Sequence, residues 1–214
     1  MSRIPDRLAF LGGGIIAEVF IDRLLSTGAM QPGNILATDI RPERLAELSG
    51  RWGICTSVKN TDAVELADWL ILAVPPPAAL PVLKEIRPLR AEHRVVSLAA
   101  AVPMPALQSA AAPAGVVRVM PNAPSLVGEA MNLVAFPGNT QAADRGQVKA
   151  LLGIFGRWQE VPDPAMTHGP RCAPSDPRTC CRCSTHWRPP QQPMAFPVSK
   201  PWPPRPNWPS GRAG

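Results

Sequence analysis

Three successive glycines, Gly12-Gly13-Gly14, stand between a short apolar run, "RLAFLG", and the amphipathic run "GGIIAEVFIDRLLSTGAM". In the second run Ile16, Val19, Phe20 and Leu24 share one face of a helix. With Ala17 the glycines spell G-x-G-x-x-A at a strand-to-helix turn, the context that gives this pattern its meaning. Gly12 allows the tight turn, Gly14 lets a pyrophosphate approach the backbone, and Ala17 lets the helix lie close to the strand. The unpaired amides at the helix start then face the phosphates. A glycine triplet by itself is more often just a turn; between a buried strand and an amphipathic helix it points to dinucleotide binding.

The rest of the first 163 or so residues carries the same alternation. "NILATD", "WLILAVP", "RVVSLAA" and "VVRVMP" read as strands, the second apolar almost throughout, as a parallel strand covered on both faces should be. "RPERLAELSGRW" reads as a helix with Pro42 in its first turn, and "ALPVLKEIRPL" and "MPALQSAA" as short helices. "MNLVAFP" adds a strand, "TQAADRGQVKALLGIFG" a helix and "RWQEVPD" a last edge strand. The expected fold is α/β: a doubly wound, Rossmann-type, mostly parallel sheet over residues 1–165.

Asp39 ends the second strand, where a carboxylate accepts hydrogen bonds from the adenosine ribose hydroxyls, which favours NAD. Arg41 and Arg44 follow closely and are placed to hold a 2′-phosphate, which favours NADP. The same residues also suit a helix cap and a solvated face. The coenzyme expectation therefore stays NADP or NAD.

The overall charge of +6 suggests a polyanion partner until it is located. Through Met166, fifteen basic residues balance fifteen acidic ones; from Thr167 on, seven basic residues face Asp176 alone. The basic excess thus belongs to the tail, and the globular part is not expected to bind nucleic acid. No apolar run is long enough to span a membrane and no signal-peptide order opens the chain, so a cytoplasmic protein is expected. Cys55 is the one cysteine before the tail, as in a reduced compartment.

These motifs resemble the coenzyme domain of the pyrroline-5-carboxylate reductase family. "FLGGGIIAEVFIDRLL" follows the family's opening, with Ile15-Ile16 where the family has Asn-Met; "TDIRPERL" follows its second strand and helix. Lys59-Asn60 stands for its Asp-Asn pair, "LAVPP" for "LAVKP" with Pro75 replacing the lysine, and "SLAAAVPMPAL" and "VVRVMPNAPSLVGEAM" continue the match to about residue 166. The resemblance implies NAD(P)H-dependent reduction of 1-pyrroline-5-carboxylate, a small-molecule cyclic imine acid, to L-proline. It implies that Gly12, Gly14, Ile15, Ile16 and Ala17 cradle the pyrophosphate and that Asp39 and Asn60 serve the adenosine half. It further implies that Ala73, Val74 and Pro75 line the loop after the fourth strand, and that Ala99 and Asn122 flank the nicotinamide. No residue of this stretch stands out as a catalytic acid or a metal ligand.

The family continues into a helical domain that forms homodimers or larger assemblies and completes the substrate site. Residues 166–214 depart from it: "PRTCCRCSTHWRPPQQPM" belongs to a tail rich in Pro, Cys and Trp, expected to be disordered coil. Three readings apply. Cys172, Cys180, Cys181 and Cys183 with His168 and His186 would make a zinc site, but their spacing lacks paired C-x-x-C. "PWPPRPNWP" would suit an aromatic-lined groove on a partner. The favoured reading is a frameshift just after the Met166 codon: in the restored frame the codons of Cys181, Trp187 and Trp208 become leucine codons, and the segment can resemble the family's continuation. The chain is then a truncated, inactive coenzyme domain. Its alternatives are a non-catalytic nucleotide-binding module with a zinc- or partner-binding tail, and a reductase for another substrate.

Overall fold

The computed structural model describes residues 4–121 and 130–167. Asn122, and the tail from His168 to Gly214 with its cysteines and prolines, lie outside the described residues. In chain order the elements are β1 (Leu8–Leu11), α1 (Ile15–Ser26), β2 (Ile35–Thr38), α2 (Pro42–Trp52), β3 (Cys55–Ser57), α3 (Thr61–Leu66), β4 (Trp69–Leu72) and α4 (Pro76–Glu85). They continue with β5 (Arg94–Ser97), α5 (Met104–Ala111), β6 (Gly115–Met120), β7 (Ala130–Ala135), α6 (Ala142–Phe155), β8 (Gly156–Glu160) and α7 (Asp163–Thr167).

One sheet, ordered β3-β2-β1-β4-β5-β6-β7-β8, organises them. Neighbours are parallel except at β6 and β7, where Val119 faces Val134 in an antiparallel register. The doubly wound, mostly parallel sheet expected from the strand–helix alternation is therefore present. The central strands are apolar on both faces because helices cover both. Leu8 and Phe10 of β1 face a core made with Phe20 of α1, Leu48 and Trp52 of α2 and Phe155 of α6. Ala9 and Leu11 face the other core, with Val64 of α3, Leu83 of α4 and Leu107 of α5. Each such large side chain taken fully from water contributes about 1.5–3 kcal/mol before the cost of ordering it.

Local sequence sets the helix limits. Pro42 occupies the first position of α2, and Gly53 ends it in a left-handed conformation, φ +66°, its amide returning to Ser49 O at 2.8 Å. Met166, expected at the start of the coil, instead lies on α7, buried in the second core. Between β1 and β4 the order of strands reverses, so the loops after these two strands diverge and leave a crevice at their C-terminal ends.

Candidate coenzyme site

Gly12 closes the turn after β1. Its φ is +99°, and a Cβ there would lie 2.9 Å from Val74 Cγ1 and 3.0 Å from Ala73 O. The neighbouring strand end is thus in contact with the glycine backbone, fixed by Gly12 N donating to Thr38 O at 2.9 Å and Ala73 N to Leu11 O at 2.8 Å. Gly13 is confined by Leu48, 2.9 Å from its would-be Cβ. Gly14 differs: its Cβ would meet nothing within 4 Å, and as N-cap of α1 it carries no side chain to satisfy the helix amides. The first-turn amides of Ile15, Ile16 and Ala17 have no acceptor within the helix. Ala17 is fully buried, so α1 lies close against the sheet, whereas Ile15 is 79% exposed beside the open space.

A pyrophosphate fits this place on two counts: room above Gly14, and unpaired donors at the positive end of a helix. The sequence assigned Gly12 and Gly14 these roles, and the structure brings both to the crevice with Ala17 behind them.

Asp39 lies just past β2. Its Oδ2 accepts from Gly13 N at 2.9 Å and Arg41 Nη2 at 3.1 Å; its Oδ1 accepts from Arg41 N at 3.0 Å and Arg41 Nε at 2.9 Å. Burial raises the carboxyl's pKa, but the hydrogen bonds from Arg41 and from the Gly13 amide, with the Arg41 charge, hold it below the usual carboxylate range. Arg44 turns elsewhere. Its Nε donates to Gly13 O at 2.7 Å, its Nη1 to Glu47 at 2.8 Å and its Nη2 to Glu18.

Asn60 is buried, and its side chain is engaged. Thr38 Oγ1 donates to Asn60 Oδ1 at 2.6 Å, and Asn60 Nδ2 donates to Glu85 Oε2 at 3.0 Å, bracing β2 to α4. Its polar atoms therefore serve the framework between β2 and α4. Ala73 and Val74 form the half-buried wall after β4, Pro75 is the exposed N-cap of α4, and Ala99 is buried just after β5. Two exposed apolar residues not singled out above, Ile40 and Val58, follow the paired strand ends Thr38 and Ser57. Their signal was a lone apolar residue in each of two polar loops.

A depression of about 300 Å³ lies at the opposite end of the sheet, lined by Trp69, Arg94, Gly115 and Asp144. It sits at strand N-termini, on the edge that doubly wound sheets do not use for ligands. An Arg94–Asp144 ion pair of 2.7 Å bridges it. Among the described residues no group of three His, Cys, Asp or Glu side chains is placed to hold a metal.

Comparison with known proteins matches residues 7–101 to a family model described as NADP oxidoreductase, coenzyme F420-dependent. A pyrroline-5-carboxylate reductase of Corynebacterium melassecola is 39% identical over 159 residues, 72% of this chain and 58% of that protein. This domain belongs to the pyrroline-5-carboxylate reductase family. The Coxiella burnetii pyrroline-5-carboxylate reductase superposes with a TM-score of 0.67 at 25% identity, covering 73% of this chain and 59% of that one. The Plasmodium falciparum pyrroline carboxylate reductase, solved with NADP bound, gives a TM-score of 0.67 at 21% identity over 78% of this chain and 60% of that one, a likeness of fold. The chain thus spans about three-fifths of the length of these pyrroline-5-carboxylate reductases.

Proposed function

We propose that the crevice between the ends of β1 and β4 holds a nicotinamide dinucleotide, NAD or NADP. The reaction it serves is the reduction of 1-pyrroline-5-carboxylate to L-proline. The observation that carries this reading is the open space over Gly14 in a chain 39% identical to a pyrroline-5-carboxylate reductase. When bound, the coenzyme supplies the hydride. The amides of Ile15, Ile16 and Ala17 hold the pyrophosphate, and Asp39 with Arg41 lies at the adenosine end, where Ile40 and Val58 flank the base. Ala73, Val74 and Pro75 form one wall of the nicotinamide end and Ala99 the other; the resemblance assigns Asn122 to the nicotinamide as well. None of the side chains of Ala73, Val74, Pro75 and Ala99 can give or take a proton. The work of this domain is to fix the face and distance of the coenzyme relative to the imine carbon.

Beyond Thr167 the sequence no longer follows the family, whose substrate site and dimer contacts fall in the later segment. On this reading the chain binds coenzyme and turns over little imine. A cytoplasmic location fits a biosynthetic reductase, and no helix among the described residues is long and apolar enough to cross a membrane. The test uses the full chain, with its mass checked against the sequence. Titration with NADPH and NADH, followed by nicotinamide fluorescence, should show saturable binding. Adding 1-pyrroline-5-carboxylate should then give no imine-dependent coenzyme oxidation. Binding of neither coenzyme removes the first part of the proposal; steady proline formation removes the second. Sequencing the DNA around the Met166 codon tests the frameshift directly.

A further inference from the structure

We infer that the depression at the N-terminal edge of the sheet is a second ligand site, for a small zwitterionic α-amino acid with an apolar side chain. Trp69, Arg94 and Gly115 open β4, β5 and β6 and stand opposite one another in register. Side chains of such a row point to one face of the sheet. Gly115 is where the row makes room: a Cβ there would lie 3.0 Å from Arg94 Cδ. The guanidinium therefore lies across the end of β6 and meets Asp144 in the first turn of α6, Nε to Oδ2 at 2.7 Å. About 300 Å³ stays open beside this pair, at the lower limit for a small-molecule pocket. Doubly wound sheets keep the coenzyme at the other end, so an occupant here is an additional ligand.

An ion pair at a strand end is ordinary structure when all its polar groups are engaged, and here they are not. Arg94 Nε serves Asp144, and Nη1 donates to Ala91 O at 2.6 Å and to His93 O at 3.0 Å. Both Nη2 hydrogens are left without an acceptor among the described residues, and Asp144 Oδ1 without a donor. Trp69 adds a third such group. It is 6% exposed, and its indole N–H makes no hydrogen bond among the described residues. That N–H is not sealed in, because the one buried side-chain nitrogen or oxygen left unsatisfied among those residues is Asn132 Oδ1. It opens on the depression that Trp69 lines. Donors from Arg94 and Trp69 and an acceptor on Asp144 thus stand together in one opening. The two charges already offset each other, so an ion of a single sign gains little. A molecule carrying both signs gains at both: its carboxylate accepts from Nη2 and the indole, and its ammonium donates to Oδ1. One carbon separates these groups in an α-amino acid, which suits a donor and an acceptor held within one ion pair. Ala112, Pro113 and Val116 complete the wall and receive an apolar side chain.

The experiment is heteronuclear NMR on the full, isotopically labelled chain, following the indole N–H resonance of Trp69, which is assigned by its loss in Trp69→Phe. L-Valine should shift this resonance saturably, with a Kd of about 1 mM or tighter. Isobutylamine and isovalerate, each lacking one of the two charges, should bind at least about tenfold more weakly, as loss of a charge-assisted hydrogen bond implies. Asp144→Asn and Arg94→Gln should each weaken L-valine about ten- to a hundredfold, with circular dichroism checking the fold. Trp69→Phe keeps an aromatic ring and loses the donor; in calorimetric titration it should weaken L-valine about two- to tenfold, and it serves as the test if an ion-pair variant fails to fold. No saturable shift with L-valine, L-alanine or L-leucine overturns the inference. So do equal binding of isovalerate, an unchanged Kd in the folded variants, and displacement of L-valine by NADPH. The coenzyme reading stands or falls separately, on the NADPH titration alone.

Discussion

Alanine at Gly12 and at Gly14 should damage the protein in different ways. At Gly12 the backbone has φ +99°, which side-chain-bearing residues rarely adopt, and the new Cβ would lie 2.9 Å from Val74 Cγ1 and 3.0 Å from Ala73 O. Val74 can rotate its methyl away; the Ala73 carbonyl cannot move without disturbing its strand, whose next amide donates to Leu11 O at 2.8 Å. The conformational part costs about 1–3 kcal/mol, and the crowding about 1–3 kcal/mol more. A central value of roughly 4 kcal/mol is a large fraction of the ~5–15 kcal/mol that holds a domain folded. For a chain of this size it corresponds to a fall of about 8–16 °C in Tm. At Gly14 the backbone is ordinary, φ −69°, and the methyl meets nothing within 4 Å. Gly14→Ala should therefore cost no more than about 1 kcal/mol in stability, from the poorer N-cap, yet occupy the space where the pyrophosphate approaches. Urea unfolding and coenzyme titration on the same preparations separate the two effects. If Gly12→Ala unfolds like wild type, or Gly14→Ala is the less stable of the pair, the steric account of this turn is wrong.

Three further outcomes follow from the packing. Asp163→Ala removes the partner of Arg118, which is 2% exposed, and an acceptor for Met104 N at 3.3 Å. Because Asp163 itself keeps some solvent, the loss should be about 2–4 kcal/mol, below the full figure for stranding a deeply buried charge; an unchanged urea midpoint would contradict it. His93 is fully buried, and burial first, then the Arg90 charge, pushes its pKa below the usual histidine value. Its neutral ring accepts from Arg90 N at 2.9 Å through Nδ1 and lies 3.2 Å from Val64 O through Nε2. The unfolded chain thus takes up this proton first, and stability should decline as pH falls from about 6.5 toward the lower folded value; His93→Gln should flatten that part of a Tm-against-pH curve. Asn60→Ala cuts the Thr38–Asn60–Glu85 chain and should cost about 1–3 kcal/mol, with coenzyme affinity falling less than stability if the side chain is a brace, as differential scanning calorimetry and titration would show.

The central strands could be read from the sequence because a strand covered on both faces has to be apolar at every position, and the glycine turn because only glycine tolerates the conformation at residue 12. α5 was likewise clear: "MPALQSAA" is the helix Met104–Ala111. β3 was not, since Cys55–Ser57 is a three-residue edge strand, half-buried and without an apolar run. α3 spans Thr61–Leu66, too short to display a period. Arg41 and Arg44 could not be told apart, because what distinguishes them is the carbonyl of Gly13, thirty-one residues before Arg44 in the chain. Asn60 carried a resemblance to an adenosine contact, but only its neighbours in space, Thr38 and Glu85, reveal that both ends of its amide are engaged. Met166 looked like the first residue of a coil because the prolines and polar residues after it dominate the window, although it fills the second core.

The helix that presents its first-turn amides to the crevice is held along both flanks, and this bears on how tightly the domain can grip a coenzyme. From α2, Arg44 and Arg51 both bond Glu18, the latter at 2.7 Å, and Trp52 Nε1 donates to Asp22 at 3.1 Å. From α6, Phe155 stacks on Phe20 with ring centroids 4.0 Å apart, and Arg23 Nε donates to Ile154 O at 3.0 Å. α6, which follows the antiparallel β7, packs on the same face of the sheet as α1. The amides of Ile15, Ile16 and Ala17 are thus fixed before any ligand arrives, and little ordering cost is left for binding to meet. Cutting the second clamp with Phe155→Ala should therefore weaken coenzyme binding as well as stability, although Phe155 is fully buried on the core face of α6, away from the helix's first turn. A variant that remained folded and bound coenzyme like wild type would show that the first turn needs no such support.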